Sequence, residues 1–406
     1  MHKFLKDHIT EQKSVIIKVM VDIKRKICFP ITSRVHYARQ KQLLSLLNKD
    51  SRFELQVVAG GSVLSEKYGE MFANALLSDG FEVKDALYNL IDGGGHVAMA
   101  KTASLVALEF VNTLHKLNSD IVLIRGDRYE QLAIAMVAAY LNKTIAHIEG
   151  GDSTGTIDES VRHAITKLAH IHFVTNEDAK RRVIKMGENP KYVFNVGSPD
   201  VEFVATVPKS FDGSVVNKIG VGTNIDLNKD FVIVMYHPVT TENQNRKNTE
   251  TLLETVDKIN VPAVWFWPNH DAGTAEIAKA IRVFRESDKI RNDNIRFVTD
   301  ILPEDFVGLL RGSKALIGNS SAGIKECSYL GVPVVNIGSR QQGRLRGPNV
   351  LDASNDPKEI KQAITKQLKH GPYKRSDVYF KPDTSKNIVS ILSKSGLYTQ
   401  KKFYES

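Results

Sequence analysis

The chain has 406 residues, of which 42% are hydrophobic and 25% charged, and it contains only two cysteines, Cys28 and Cys327. This composition is ordinary for a globular protein of two or three domains, and it excludes a disordered chain, a collagen-like repeat and a disulfide-stapled miniprotein. The net charge of +9 divides into +4 for residues 1–26, +7 for residues 358–406 and −2 for the rest, so no central basic face predicts a nucleic-acid partner.

Residues 1–25 are predicted to form an extension that precedes the fold. The apolar stretch at 15–21 is interrupted by Lys18, and no small-residue cleavage site follows it, so it does not read as a secretory signal. No apolar run approaches the roughly 20 residues of a membrane span. With few cysteines and no zinc-ribbon spacing, we expect a cytoplasmic protein without a membrane partner.

Short β-rich runs alternate with helical stretches along the remaining chain. The runs lie at 26–31, 54–59, 121–124, 144–148, 171–175, 192–196, 231–236, 261–267, 295–298, 315–318 and 333–337. Most are continuous apolar runs, which are typical of parallel strands covered by helices on both faces. The polar stretch 208–230 separates two series, so the sequence predicts an α/β protein with two doubly wound, Rossmann-like domains. Their ligands should bind at the carboxyl ends of the strands, in the cleft between the domains.

Several common cofactor motifs are absent. No GxGxxG follows the first strand and no GxxxxGK[ST] occurs, so nothing favours NAD, FAD or P-loop chemistry. His147-Ile-Glu149 matches one half of a zinc deaminase motif, but the paired cysteines of the other half are missing. The triple glycine at 93–95 reads as a flexible connection, because no strand directly precedes it.

Two segments of the first half place charged residues where a strand ends. In the segment 124–140, Gly126 makes a turn after a strand, and Asp127 and Arg128 stand at the mouth of an apolar helix. In the segment 147–163, Glu149 follows a strand and precedes two glycines, and further carboxylates follow within ten residues: Asp152, Asp158 and Glu159. Crowded carboxylates should have perturbed pKa values, as acid–base catalysis requires, although Asp158 and Glu159 also suit a helix N-terminus.

The segment 317–331 reads as a phosphate-binding site without a Walker lysine. Small residues after a strand expose backbone N–H groups at a helix start, and Ser320 and Ser321 add hydroxyl donors. Glu326 could accept two ribose hydroxyls, or it could be a solvated glutamate on a helix surface. Cys327 falls on the apolar face of this helix and reads as a core residue rather than a nucleophile.

Single polar residues recur at the same topological position in both halves. They follow predicted strands, where a loop into a helix should begin; the set is Arg34, His237, Asn269 and Arg340. Any one of them is more often structural than functional, but their recurrence favours a shared ligand site.

Six stretches together resemble a known family. They are GDR at 126–128, HIEGG with TIDESVRHAITKLAH within 147–170, HPVT at 237–240, and GNSSAGIKE with GVPVVNIGSRQQGR within 318–344. They look like the hydrolysing UDP-N-acetylglucosamine 2-epimerases, which are the bacterial sialic-acid pathway enzymes and the epimerase half of the animal bifunctional enzyme. The likeness runs in one order from about residue 26 to about residue 395.

The resemblance implies a glycosyltransferase-B type fold. Residues 26–205 would form the first domain with the catalytic carboxylates, residues 206–382 the UDP-binding second domain, and residues 383–406 a helix returning to the first domain. A UDP-sugar in the cleft would lose UDP from C1 and the proton from C2. Water would then add to the resulting 2-acetamidoglucal and give free N-acetylmannosamine. That route needs no metal and no nicotinamide, and a homodimer or homotetramer is expected.

The resemblance also assigns roles to individual residues. The expected diphosphate and UDP contacts are Arg34, Arg128, Ser320, Ser321 and Arg340, with Glu326 on the ribose and His237 and Asn269 as further second-domain ligands. The expected catalytic carboxylates are Asp127, Glu149, Asp158 and Glu159. Guanidinium groups independently suit a diphosphate, and proton removal beside C1 needs a positioned carboxylate.

One position departs from the family pattern. Where the family has Arg-Ala-Asp-Tyr after the first strand, this chain has Arg34-Val35-His36-Tyr37. An imidazole in place of a carboxylate could change which sugar substituent is accepted, so a 2,4-diacetamido-trideoxy sugar is a second candidate substrate. The same pattern of residues also leaves open a non-hydrolysing epimerase, a retaining glycosyltransferase and a UDP-sugar-binding regulator without catalysis.

Overall fold

The computed structural model describes residues 24–65, 69–91, 93–269, 271–287 and 294–405. Nearly all of the predicted extension at 1–25 therefore lies outside the described residues. The first strand begins at Arg25. Where the chain is described, its strands form two separate seven-stranded sheets, each flanked by helices.

The first sheet has the strand order β3-β2-β1-β4-β5-β6-β7, and all its pairings are parallel. Its strands are β1 (Arg25–Ile31), β2 (Phe53–Gly60), β3 (Val83–Leu87), β4 (Ile121–Arg125), β5 (Thr144–Ile148), β6 (Ile171–Val174) and β7 (Val193–Asn195). The strand order reverses between β1 and β4, and a crevice forms where the loops after these two strands diverge.

The second sheet has the order β14-β13-β12-β9-β10-β11-β8 and is parallel except for β8, which runs antiparallel to β11. Its strands are β8 (Val221–Gly222), β9 (Val232–Met235), β10 (Ala263–Phe266), β11 (Ile295–Val298), β12 (Ala315–Gly318), β13 (Val334–Ile337) and β14 (Val350–Ala353). The predicted fold class, two Rossmann-like parallel-sheet domains, is confirmed. The boundaries at 205/206 and 382/383 stay predictions.

Helices cover both faces of each sheet. In the first half they are α1 (Arg34–Ala38), α2 (Lys41–Lys49), α3 (Gly69–Ser78), α4 (His96–Leu117), α5 (Tyr129–Tyr140), α6 (Ile157–Leu168), α7 (Glu177–Lys185) and α8 (Pro199–Thr206). In the second half they are α9 (Val216–Ile219), α10 (Asn245–Asp257), α11 (Thr274–Glu286), α12 (Pro303–Gly312), α13 (Ser321–Ile324), α14 (Glu326–Leu330), α15 (Pro357–His370) and α16 (Thr384–Lys394).

All eleven predicted strands overlap observed ones, but β3, β8 and β14 escaped prediction. Each of the three is an edge strand, and none carries a continuous apolar run: β3 reads Val-Lys-Asp-Ala-Leu and is mostly half-buried. The helix predicted after Ser321 is divided in two, because the backbone leaves helical geometry at Lys325.

The helix α4 is long and apolar enough, by length and composition, to cross a membrane, and it alone passes that test in the described part of the chain. Its Val106, Phe110 and Leu114 are buried in the first domain's core with residues of β4 and α5. Of its apolar window, 28% is buried within the chain. The expected absence of a membrane partner stays a prediction.

The last helix, α16, packs back onto the first domain. Its Ile388 and Leu392 share a buried core with Leu43 and Leu47 of α2. Asp383, which precedes α16, makes no capping hydrogen bond. Instead Glu202 of α8 accepts hydrogen bonds from the Ser385 hydroxyl and, at 3.0 Å, from the Ser385 backbone N–H.

We predict that Glu202→Ala weakens this attachment, because the Ser385 N–H then loses its partner in a buried position. A hydrogen bond to a charged group is worth about 1.5–3 kcal/mol, and the free energy of unfolding should fall by about that amount in denaturant titration. The control is Glu254→Ala on α10, where the glutamate side chain is 62% exposed. Equal losses in both variants would contradict the capping role.

Candidate active site

The first-domain carboxylates stand on neighbouring strand ends. Asp127 follows β4 and Glu149 follows β5, and these strands pair with Arg125 opposite Ile148. His147 fastens the two loops together: its Nε2 donates to the Gly126 carbonyl at 2.8 Å, and its Nδ1 lies 3.1 Å from the Thr166 hydroxyl. Burial lowers the pKa of His147 to about 4, so the ring is neutral at pH 7. His147 therefore has a structural role, because it links the Gly126 turn to Thr166 of α6.

The backbone at Glu149 is strained. Its φ of 71° lies in the left-handed region, which a non-glycine residue rarely adopts. The chain then turns through Gly150 and Gly151, and a Cβ on Gly151 would lie 2.6 Å from the Ala179 carbonyl oxygen. Only glycine fits this turn, and the turn holds the Glu149 side chain in place.

Asp127 is paired with a buried arginine. Arg162 of α6 contacts its carboxylate and also donates to the Asp152 carbonyl at 2.7 Å. Burial alone would raise the pKa of Asp127, but Arg162 and Arg344 lower it by more, so its net pKa is well below the usual range. Asp127 is a stable anion at neutral pH.

Glu149 is held by two cations from different domains. Arg125 lies 3.1 Å from its Oε2, and Lys325 Nζ lies 2.7 Å from its Oε1. The Ser198 hydroxyl donates to the same Oε1 at 3.1 Å. Burial raises the pKa of Glu149, but Arg125 and Lys325 lower it by more, so it too is ionised.

Asp158 differs from both, because among the described side chains no cation lies within hydrogen-bond distance of it. Arg340 Nη2 lies 3.9 Å away, and 31% of the Asp158 side chain is exposed. Burial and the neighbouring Asp127 raise its pKa to about 6, against a smaller opposing effect of Arg340. Asp158 is thus the carboxyl group that can take up and release a proton near neutral pH.

Glu159 has local partners. Its carboxylate accepts from the Ser153 hydroxyl at 2.9 Å and from the Thr154 N–H, and His163 lies 3.6 Å away. Burial opposes these hydrogen bonds, but the net pKa of Glu159 is lowered. The carboxylate stabilises the turn that leads into α6, which agrees with a helix-capping role.

On the second domain, Asn319 forms hydrogen bonds with residues that follow two other strands, His237 and Arg340. Its side chain forms two hydrogen bonds with the backbone of His237, at 2.7 and 2.8 Å, and its carbonyl accepts from Arg340 at 3.2 Å. His237 in turn accepts at Nδ1 from the Asn269 N–H at 3.3 Å. Burial and Arg340 lower the pKa of His237 to about 3, so the ring is neutral.

The 318–326 segment buries an acid without hydrogen-bond partners. Ser320 caps α13 by accepting from the Ala322 N–H at 3.3 Å, and Ser321 begins that helix. Glu326 is only 2% exposed, so it is not a surface residue. Neither of its oxygens has a hydrogen-bond partner of good geometry, although Arg39 Nη2 lies 2.7 Å from Oε1. Burial raises its pKa.

The two halves of the site touch across the cleft. Arg128 lies 3.1 Å from Asp271 of the second domain and 3.1 Å from Glu130 of its own. Gly155 donates its N–H to the Arg340 carbonyl at 3.3 Å, and a Cβ at this glycine would lie 1.9 Å from the Ser339 carbonyl oxygen. The segment that carries Asp158 therefore lies directly against the loop that carries Arg340.

The departure from the family pattern lies beside this site. His36 is 1% exposed, and its Nδ1 lies 3.3 Å from Gln131 Nε2 and 3.4 Å from the Thr32 N–H nitrogen. Burial, Arg125 and Arg128 lower its pKa well below the usual value, so the ring is neutral with its proton on Nε2. Arg34 is the first residue of α1, and its side chain lies outside the described part of the structure.

Sequence reasoning missed six residues that complete the site. They are Arg39, Arg125, Asp200, Asp271, Asn319 and Lys325. Two carried a signal: Arg125 is a charged residue that ends an apolar strand, and Lys325 adjoins Glu326 in a segment already chosen. The described residues contain no group of three or more metal-ligating side chains.

Comparison with known proteins shows the family and the fold. The profile of the family described as UDP-N-acetylglucosamine 2-epimerase matches residues 45–393. A Legionella pneumophila protein named UDP-N,N'-diacetylbacillosamine 2-epimerase (hydrolyzing) is 30% identical over 93% of this chain and 97% of its own. A Neisseria meningitidis UDP-N-acetylglucosamine 2-epimerase is 30% identical over 89% and 92%. A crystal structure of UDP-GlcNAc 2-epimerase from Neisseria meningitidis bound to UDP-GlcNAc superposes with a TM-score of 0.73 at 17% identity, over 92% of this chain and 100% of that chain. The chain belongs to the UDP-N-acetylglucosamine 2-epimerase family of enzymes.

Proposed function

We propose that the protein is a hydrolysing 2-epimerase that converts UDP-N-acetylglucosamine to N-acetylmannosamine and UDP, in the biosynthesis of sialic or related nonulosonic acids. The observation that carries this proposal is the apposition of Asp127, Glu149 and Asp158 on one domain to Arg340 and Glu326 on the other. Full-length similarity to a relative named as hydrolysing supports the choice over a non-hydrolysing epimerase.

The proposed reaction has two steps. In the elimination, the C2 proton passes to a carboxylate and the C1–O bond breaks, so UDP leaves and a 2-acetamidoglucal forms. In the hydration, water adds a hydroxyl at C1 and a proton returns to C2 from the opposite face. Asp127 and Glu149 are anions that can stabilise positive charge developing at C1. Asp158 is suited to carry the proton because of its raised pKa.

A second candidate substrate has its own support. The Legionella relative is named for a diacetamido sugar, whereas the Neisseria relative of equal identity is named for UDP-N-acetylglucosamine. Neutral His36 beside the carboxylates offers a hydrogen-bond donor in place of the family's carboxylate. A UDP-2,4-diacetamido-2,4,6-trideoxyhexose is therefore the second candidate substrate.

We also propose a homodimer or homotetramer. Apolar side chains on α4 and α5 are exposed in the single chain: Val97 is 70%, Leu108 69% and Tyr140 82% exposed. Large exposed apolar side chains on neighbouring helices are candidates for a subunit interface. A cytoplasmic location stays a prediction.

The reaction is tested by incubating the protein with each UDP-sugar in D₂O. We expect UDP and a free C2-inverted sugar that carries deuterium at C2. Asp127→Asn and Glu149→Gln should each keep UDP affinity within a few fold in calorimetry yet lose about 10² to 10⁴ in turnover, because an amide keeps the shape but not the charge. An intact epimerised nucleotide sugar would indicate the non-hydrolysing reaction, and a product without deuterium would exclude the elimination.

The proton carrier has a distinct pH signature. A base must be ionised to accept the C2 proton, so kcat/KM should rise with pH through about 6, the pKa of Asp158. Asp158→Asn should remove this rise and lower the rate about 10² to 10⁴-fold. Glu159→Gln, one residue along α6, is the matched comparison. If Glu159→Gln removes the rise while Asp158→Asn retains it, Glu159 is the proton carrier.

The ribose assignment is tested with Glu326→Gln. The buried Glu326 carboxylate lies 2.7 Å from Arg39 but lacks a hydrogen-bond partner of good geometry among the described residues, so it should accept both ribose hydroxyls. A hydrogen bond to a charged group is worth about 1.5–3 kcal/mol. We expect a large loss of affinity for UDP and a small one for 2′,3′-dideoxy-UDP in calorimetry. Equal losses for both ligands would contradict ribose recognition by this residue.

A further inference from the structure

Lys325 connects the 318–326 segment of the second domain to a carboxylate of the first. It lies between α13 and α14, where φ of −97° and ψ of −68° depart from ideal helical values. Its side chain reaches Glu149 at 2.7 Å. The Lys325 side chain is 3% exposed, so the contact is shielded from solvent.

Lys325 is part of a buried group of six charges. Asp200, whose side chain is fully buried, lies 2.6 Å from Arg125, 3.1 Å from Arg39 and 4.0 Å from Lys325. Arg39 also lies 2.7 Å from Glu326. We call this group the six-charge cluster: Arg39, Arg125, Glu149, Asp200, Lys325 and Glu326.

The six-charge cluster draws its charges from both domains. Arg39, Arg125, Glu149 and Asp200 come from the first domain and are balanced among themselves, and Lys325 and Glu326 come from the second. Removing one partner from a buried ion pair is unfavourable. Separation of the domains would take Lys325, the closest cation, from Glu149 and leave it with Arg125 at 3.1 Å.

We propose that Lys325 is a positioning residue of the proposed reaction: its contact with Glu149 across the domain boundary helps Arg125 to keep that carboxylate charged and in place, and Asp200 holds Arg39 and Arg125. Lys325 is one residue from Glu326 and four from Ser321, so a nucleotide bound there would also fix the lysine. This inference rests on the proposed function, because it assumes that Glu149 acts on the sugar.

The charged and titratable groups near Glu149 determine the direction in which its pKa changes when the Lys325 charge is lost. Burial lowers the pKa values of Arg125 on β4 and Arg39 after α1, but the neighbouring carboxylates raise them by more, so both keep their charge, whereas His36 and Tyr379 stay neutral. Arg344, in the loop before β14, also acts on Glu149. Asp200 on α8 shares Arg125 with Glu149. Loss of the Lys325 charge would thus raise the pH at which Glu149 ionises, and activity would be lost on the acid side.

The test compares Lys325→Met and Lys325→Arg with wild type over pH 5.5–9, measuring kcat, KM and calorimetric UDP affinity. We expect Lys325→Met to lose at least about tenfold in kcat at pH 6 and to recover most of it by pH 9, with UDP affinity within about threefold. Lys325→Arg should restore the wild-type profile, since it keeps the charge. Lys314→Met, at an exposed lysine beside Asp230, is the matched control.

A second measurement does not depend on turnover. The ¹³C signal of the Glu149 carboxyl, assigned by its absence in Glu149→Gln, should titrate at higher pH in Lys325→Met than in wild type. Lys325→Met should also lower the melting temperature, and Lys325→Met/Glu149→Gln should recover part of that loss, because the unpaired charge is gone.

The outcomes separate the two proposals. A Lys325→Met pH profile parallel to wild type, with an unshifted Glu149 titration, would overturn this inference while leaving the epimerase proposal intact. A loss of UDP affinity as large as the loss of kcat would also overturn it, since Lys325 would then act on the nucleotide. If wild type releases UDP from neither substrate, the proposed function fails, and the carboxyl titration still tests whether Lys325 controls Glu149.

Discussion

The site depends on the burial of the six-charge cluster at the domain boundary. Charges removed from water are tolerated only when each has a partner at short range. Here Asp200 forms ion pairs with Arg39 and Arg125, and Glu149 forms ion pairs with Arg125 and Lys325. Because the chain must supply these charges at once from β4, the residue after β5, α8, the residue after α1 and the 318–326 segment, the cluster restricts how these five parts lie relative to one another. The remaining contacts of the cleft are arranged around that constraint.

The local backbone structure of the first domain positions Glu149 for its ion pairs. The left-handed backbone at Glu149 is unfavourable for a residue with a side chain, and it persists because the surrounding contacts hold it. Gly150 and Gly151 remove the clashes that the turn would otherwise cause, and neutral His147 ties the Gly126 turn to the same strand ends. The three acids therefore differ in the pH at which they lose a proton. Asp127 and Glu149 are ionised because each is paired with cations. Asp158 lies beside Asp127, has no cation in hydrogen-bond range among the described side chains, and retains its proton to higher pH.

The sequence predicted the interior of both sheets, because strands covered on two faces must be continuously apolar. It failed at β3, β8 and β14, since an edge strand such as Val83–Leu87 is stabilised by pairing on one side and needs no apolar run. Residues at strand ends, such as Asp127 and Glu149, were predictable because topology places them at one edge. Asp200 and Lys325 were not, because their importance comes from contacts between residues 176 and 125 positions apart. Glu326 had two interpretations that only its burial could separate.

A diphosphate that entered the cleft would meet two arginines, Arg340 and Arg128, which differ in the contacts that they already make. Arg340 Nη2 lies 3.9 Å from both Asp158 and Asp271, too far for a hydrogen bond, while its Nη1 donates to the Asn319 carbonyl at 3.2 Å, so an anion could bind at Nη2 without displacing either carboxylate from a hydrogen bond. Arg128 instead lies 3.1 Å from Asp271 across the cleft, and a phosphate oxygen would compete with that carboxylate. Binding would therefore replace a direct contact between the domains with one that passes through the ligand. Since Lys325 meets Glu149 nearby, the same exchange would let the nucleotide control how closely the second domain approaches the carboxylates of the first.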